Sequence, residues 1–217
     1  MNEQQTGHDE YVGDVAPGGP AQTRTAGCLR ITKVAVDPEM SNNCYLLRCE
    51  DTGDQVLVDA AAEPERLLEL VGDGGLATVV AATGAEVVVG SPDADAVTEQ
   101  TGVTVTRSVG HGDTVAVGSC SLEVIALAGH TPGSVALLFE DAERGDGRAH
   151  LFTGDSLFPG GPGKTAGPAE FTSLMDDLEA RVFDRLPDGT WFYPGHGDDS
   201  TLGDQRPQLG EWRARGW

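Results

Sequence analysis

Residues 124–134 read Val-Ile-Ala-Leu-Ala-Gly-His-Thr-Pro-Gly-Ser: an apolar run stops at a glycine, presents His130, and turns on Pro132 and Gly133. The same construction recurs twice downstream. Leu151-Phe152-Thr153-Gly154-Asp155-Ser156 delivers Asp155, and Trp191-Phe192-Tyr193-Pro194-Gly195-His196-Gly197 delivers His196. A hydrophobic strand running into a glycine turn pins the backbone and leaves the next polar side chain at the sheet edge. Three such ends, carrying two imidazoles and one carboxylate, predict a single site whose donors suit a metal ion with an open coordination position.

The surrounding pattern is that of short strands. Period-two apolar spacing at Ile31, Val34 and Val36, then Cys44 to Cys49, then Val56 to Val58 ending at Asp59, opens the domain as a meander. Pro64 with Leu67, Leu68 and Val71 predicts a helix closed by Gly72-Asp73-Gly74-Gly75. Strands are expected over residues 103–106, 114–117, 122–127, 135–139 and 150–153, and Trp191 to Tyr193 is the last. Between the fifth of these and Trp191, Phe171, Leu174, Met175, Leu178, Val182 and Leu186 fall on one face of a helix. No repeat of the kind that builds solenoids or propellers is present.

Residues 76–90 are harder to place. Thr78-Val79-Val80 and Val87-Val88-Val89 both resemble strands, yet the five residues 81–85 are too few for a parallel crossover, which needs about a dozen. Either 78–80 is a strand and a helix is missing, or 76–83 is a helix capped by Gly84 and a strand is missing. Glycine directly after a helix end favours the second.

At 217 residues and 39% hydrophobic content the chain can bury one core. Its formal charge of -21 disfavours nucleic acid and anionic membranes as partners. Residues 1–27, polar and rich in glycine and proline, read as a flexible tail before one domain over 28–217. No apolar stretch in them is long enough for a leader or a membrane span, which predicts a cytoplasmic protein. Cys28, Cys44, Cys49 and Cys120, without a Cys-x-x-Cys pair, are expected as core thiols. His111, in a Gly-His-Gly-Asp turn, and His150, at a strand start, are expected to be structural. Gly161-Pro162-Gly163-Lys164-Thr165 is not a phosphate-binding loop, because Phe158 stands where that motif needs glycine.

In order and context the three turns resemble the second half of the metallo-β-lactamase-fold hydrolases, in the branch similar to hydroxyacylglutathione hydrolase. That family's first metal motif, His-x-His-x-Asp-His, occurs nowhere in the sequence. The resemblance implies an αβ/βα sandwich, two mixed sheets face to face with helices outside, lacking one strand or helix near residues 76–90. It implies His130, Asp155 and His196 as metal ligands, with Asp155 in the bridging position and Asp59 near the site without being a ligand. It further implies zinc, iron or manganese, here one ion at most, and hydrolysis of a small thioester, ester or lactone; Lys164 is left facing either a substrate carboxylate or solvent. The alternative is a catalytically inactive member that binds a ligand or a protein. A lost strand would leave a sheet edge through which the chain could dimerise.

Overall fold

A computed structural model of the chain describes residues 11–37, 39–59, 80, 83–141, 143–144 and 147–216. Strands β1 (Gln22–Ala26), β2 (Leu29–Val36), β3 (Asn42–Cys49) and β4 (Gln55–Val58) form an antiparallel sheet in chain order. A second, six-stranded sheet is built from β7 (Thr114–Val117), β8 (Cys120–Ala126), β9 (Val135–Phe139), β10 (His150–Gly154), β13 (Trp191–Pro194) and β14 (Ser200–Thr201), ordered β14-β13-β10-β9-β8-β7. A small hairpin of β11 (Leu157–Phe158) and β12 (Gly161–Pro162) follows β10. Only β10 and β13 run parallel in the six-stranded sheet. A parallel pair needs a long crossover. That crossover is the helix α2 (Pro168–Asp177), which continues as a wider turn over Leu178–Phe183.

Strand alternation divides the second sheet between two cores. Leu122, Phe139, Phe152 and Tyr193 point inward and meet Leu29, Ile31, Tyr45 and Leu47 of the first sheet. Their neighbours Ile125, Leu138, Leu151 and Phe192 point outward, where Leu174, Met175, Leu178 and Val182 of the crossover and Trp212 of the last helix cover them. The expected αβ/βα sandwich is therefore the fold of the chain, and the 171–186 helical face packs as its spacing requires. Leu178, Val182 and Leu186 hold that face across the wider turn, and Phe183 joins it as well.

Among the described residues the first sheet ends at β4. A separate parallel pair, β5 (Val88–Gly90) and β6 (Arg107–Val109), stands beside it, joined through α1 (Ala94–Thr101). The strand expected at 103–106 lies four residues later, because Gly102 ends α1 in a left-handed conformation and the chain needs 103–106 to return to the start of β5. Thr106 makes that return, accepting from the Val87 amide. Helix α1 escaped the sequence reading because it is weakly amphipathic and buries no residue. Val80 and Thr83 are helical, and Gly84, at φ 66°, donates its amide to the Val80 carbonyl. That is the glycine-capped helix end of the second reading. The helix expected from Pro64 to Val71 lies outside the described residues.

Two further expectations are corrected. Residues 11–27, expected as part of a tail over 1–27, belong to the fold, since β1 pairs along its whole length with β2 and Tyr11 packs on Trp191 and Tyr193. Its alternation, with Ala26 buried, is that of an edge strand half-covered by the core. Cys28 and Cys120 are joined as a disulfide between the two sheets, Cα atoms 6.2 Å apart, while Cys44 and Cys49 are buried thiols outside it. No helix among the described residues is long and apolar enough to cross a membrane.

Candidate functional site

His130, Asp155 and His196 converge, since all three follow strands that end on the same edge of the second sheet. His130 follows β8, Asp155 follows β10, and His196 follows β13, the parallel neighbour of β10. His130 Nε2 lies 3.5 Å from Asp155 Oδ2, and His196 Nε2 lies 3.9 Å from Asp155 Oδ1. Each carboxylate oxygen thus faces one imidazole. All three side chains are a third to two-fifths exposed, open to whatever enters.

Each donor has a support of its own. His130 Nδ1 lies 2.7 Å from the Lys164 carbonyl. A carbonyl can only accept, so the proton is on Nδ1 and the Nε2 lone pair is left for the site, the arrangement that fixes metal-bound histidines. The turn after His130 is clamped by Asp93, which accepts from the Thr131 hydroxyl and from the Gly133 amide. His196 is stacked by Phe158. Gly195 lets Asp155 sit where it does, because a β-carbon there would collide with Asp155 Oδ1. The clamp and the stack escaped the sequence reading: Asp93 lies 38 residues from Thr131, and nothing in the spacing of Phe158 marks it.

Asp59 also reaches the site. It follows β4 directly with φ 57°, a conformation Asp tolerates better than most residues, and it lines the same cavity as His130 and Asp155. Crowding by protein and then the negative charge of Asp155 push its carboxyl up to about 6. The cavity holds about 460 Å³ and is bounded by Asp59, Val88, Gly90, His130, Val135 and Asp155. A second cavity of about 340 Å³ lies across the Lys164 loop, lined by Pro162, Phe171 and the cations Lys164 and Arg215.

His150 is structural as expected, buried with Nδ1 2.9 Å from the Tyr193 hydroxyl, and His111 stays in its exposed hairpin turn. Among the described residues no group of three or more His, Cys, Asp or Glu side chains is arranged to hold an ion. The reason is visible in the split of Asp155: each of its oxygens meets one imidazole, giving two donors per position where zinc takes three or four. The donor types, two imidazoles and one carboxylate, are of the kind that zinc, iron or manganese takes.

No family model matches the chain. The hydroxyacylglutathione hydrolase of Rhodospirillum rubrum is 32% identical over 172 residues, 71% of this chain and 62% of that enzyme. In sequence the chain is similar to the hydroxyacylglutathione hydrolases, and its fold is that of the metallo-β-lactamases. A metallo-β-lactamase from Staphylococcus aureus superposes on it with a TM-score of 0.72 at 22% identity, covering 87% of this chain and 63% of the other, a likeness of fold. A protein solved in a di-iron-bound form, TTHA1623, is 29% identical with a TM-score of 0.59 and matches 80% of this chain against 96% of its own. This metallo-β-lactamase-fold chain spans about six-tenths of the length of the R. rubrum enzyme. It keeps the family's later ligand turns and lacks the first metal motif.

Proposed function

We propose that this metallo-β-lactamase-fold chain hydrolyses a small thioester, ester or lactone, using one ion held by His130, Asp155 and His196. The supporting observation is the presentation of His130: its Nδ1 proton is fixed on the Lys164 carbonyl, and its Nε2 is aimed at Asp155. A retained ligand with a set tautomer is costly to keep for packing alone, since the side chain is a third exposed. An ion bound there supplies a water-derived nucleophile near neutral pH and polarises the substrate carbonyl.

The chain's own residues do the rest. Val88, Gly90 and Val135 wall the cavity against the acyl group, and Asp93 holds the His130 turn still. Lys164 and Arg215, on a surface that is otherwise strongly negative, give an anionic part of the substrate a place beside the reacting carbonyl. A second reading, a ligand-binding member without hydrolysis, is favoured by the two-donor count at each Asp155 oxygen.

Metal content per chain after purification without added metal, measured on wild type and on His196→Ala, separates the two. About one equivalent in the wild type, lost in the variant and accompanied by chelator-sensitive thioester turnover, supports the hydrolase. Metal-free protein with no turnover on supplementation leaves the binding module.

A further inference from the structure

Lys33 occupies a position that its strand assigns to the core. On β2 it shares the inward face with Leu29 and Ile31, and it stands opposite Tyr45 of β3. It is fully buried, as is its partner Asp199, 2.7 Å away. All three ammonium hydrogens find acceptors: Asp199 Oδ1, the Gly13 carbonyl at 2.6 Å and the Gly197 carbonyl at 2.8 Å. Asp199 in turn accepts from the Tyr11 hydroxyl at 2.7 Å and from Trp191 Nε1 at 3.1 Å. Burial holds the Tyr11 hydroxyl protonated, so it remains a donor.

A buried ion pair is weak evidence for stability, because apolar residues of similar volume often serve as well or better. What an apolar pair cannot do is fix where three backbone segments meet. Gly197 follows His196 directly, and the first sheet grips the same loop again. Asn43 Nδ2 donates to the Pro194 and Gly197 carbonyls at 2.9 and 2.8 Å, the Asn43 amide donates to Gly195 at 2.7 Å, and the Tyr45 hydroxyl donates to Pro194 at 2.7 Å. Every carbonyl from 194 to 197 named here is held from across the sandwich, and Lys33 is the member of this set that also gathers the N-terminal segment through Gly13.

We propose that Lys33 is a positioning residue for His196: through the Gly197 carbonyl it sets the histidine loop against Asp155, and through Gly13 and Asp199 it makes residues 11–13 part of the same brace. The inference rests on the proposed metal-binding reading only where metal affinity is the measurement. The loop geometry stands without it.

The test uses the full chain with Lys33→Met/Asp199→Leu, which removes both charges so that neither is left orphaned, and Tyr11→Phe, which removes one hydrogen bond. Ring nitrogen shifts of His130 and His196 are read by NMR at one pH in metal-free protein, and cobalt(II) affinity and absorption by titration. The expected result is a folded double variant whose His196 shifts move while those of His130 do not, with cobalt bound about ten-fold more weakly, as for other residues that orient ligands. Tyr11→Phe should move His196 in the same direction by less. A folded double variant with wild-type His196 shifts and cobalt affinity overturns the proposal; should that variant fail to fold, unchanged His196 shifts in Tyr11→Phe overturn it equally. Wild type that binds no cobalt counts against the metal reading, and the His196 shifts still decide the role of Lys33.

Discussion

The ring of Phe158 lies on the imidazole of His196, centroids 4.2 Å apart and planes inclined by 26°. Phe158 comes from the two-residue strand after Asp155, so one short segment supplies both a carboxylate and the surface that orients its neighbouring histidine. Phe158→Leu keeps apolar bulk and loses the stack, which is worth about 0.5–1.5 kcal/mol for aromatic pairs. Thermal unfolding should change little, while cobalt(II) titration shows several-fold weaker binding and His196 ring resonances shift. Unaltered resonances would show that the contact only fills space.

Asp93 ties α1 to the turn that follows His130 through two hydrogen bonds from Thr131 and Gly133. Bonds to a charged acceptor contribute about 1.5–3 kcal/mol each, reduced here because the group is partly exposed. Asp93→Ala is expected to lower stability by about 1–2 kcal/mol in urea unfolding and to broaden the His130 resonances. Asp93→Asn, which keeps one acceptor oxygen, should recover part of both.

Gly195→Ala places a β-carbon against Asp155 Oδ1 and the Gly154 carbonyl carbon. The second is backbone and the first belongs to the site carboxylate, so either the chain or Asp155 must shift. Overpacking of this sort costs about 1–3 kcal/mol, and the denaturation midpoint should fall accordingly. Because the displaced atom belongs to Asp155, metal affinity should fall further than in Phe158→Leu. A variant as stable and as metal-competent as wild type would show that Asp155 has room to move.

The Asp59 carboxyl titrates near 6 in the fold and near 3.8 outside it, so the folded chain holds an extra proton between those values. Stability from this group is fully present below about pH 4 and is lost as pH rises through about 6. Metal-free Asp59→Asn should therefore match wild type near pH 4 and be the more stable of the two near pH 7.5. Unfolding curves at the two pH values give the comparison, and an equal difference at both would remove Asp59 titration as the cause.

Much of the second sheet could be read from the chain because its strands alternate cleanly and its helix has a long apolar face: Leu151 and Phe152, or Phe192 and Tyr193, each send one side chain to either core. The three donors were equally legible, since glycine and proline mark their turns locally. What the sequence hid was non-local or weakly patterned. α1 buries nothing, so no periodicity announces it. β6 is three residues long and takes its place from pairing with β5, not from its own composition. β1 reads as tail because its exposed threonines and arginine look solvated, and only the β2 edge beneath it makes it a strand. Asp93 and Lys33 act on residues 38 and 164 positions away, and no local signal carries such a partnership.

The bonds that seat the histidine loop join residues 149 to 166 positions apart, close to the span of the whole domain. Contacts of such separation are bought late, after loop closure has been offset by nearer pairings. During synthesis Lys33 emerges long before Asp199, and until then an ammonium meant for the interior has water as its partner. Completion of the site thus waits on the last strands: a chain stalled just short of Trp191 already holds the first sheet and four of the six strands of the second, and has no means of closing its site.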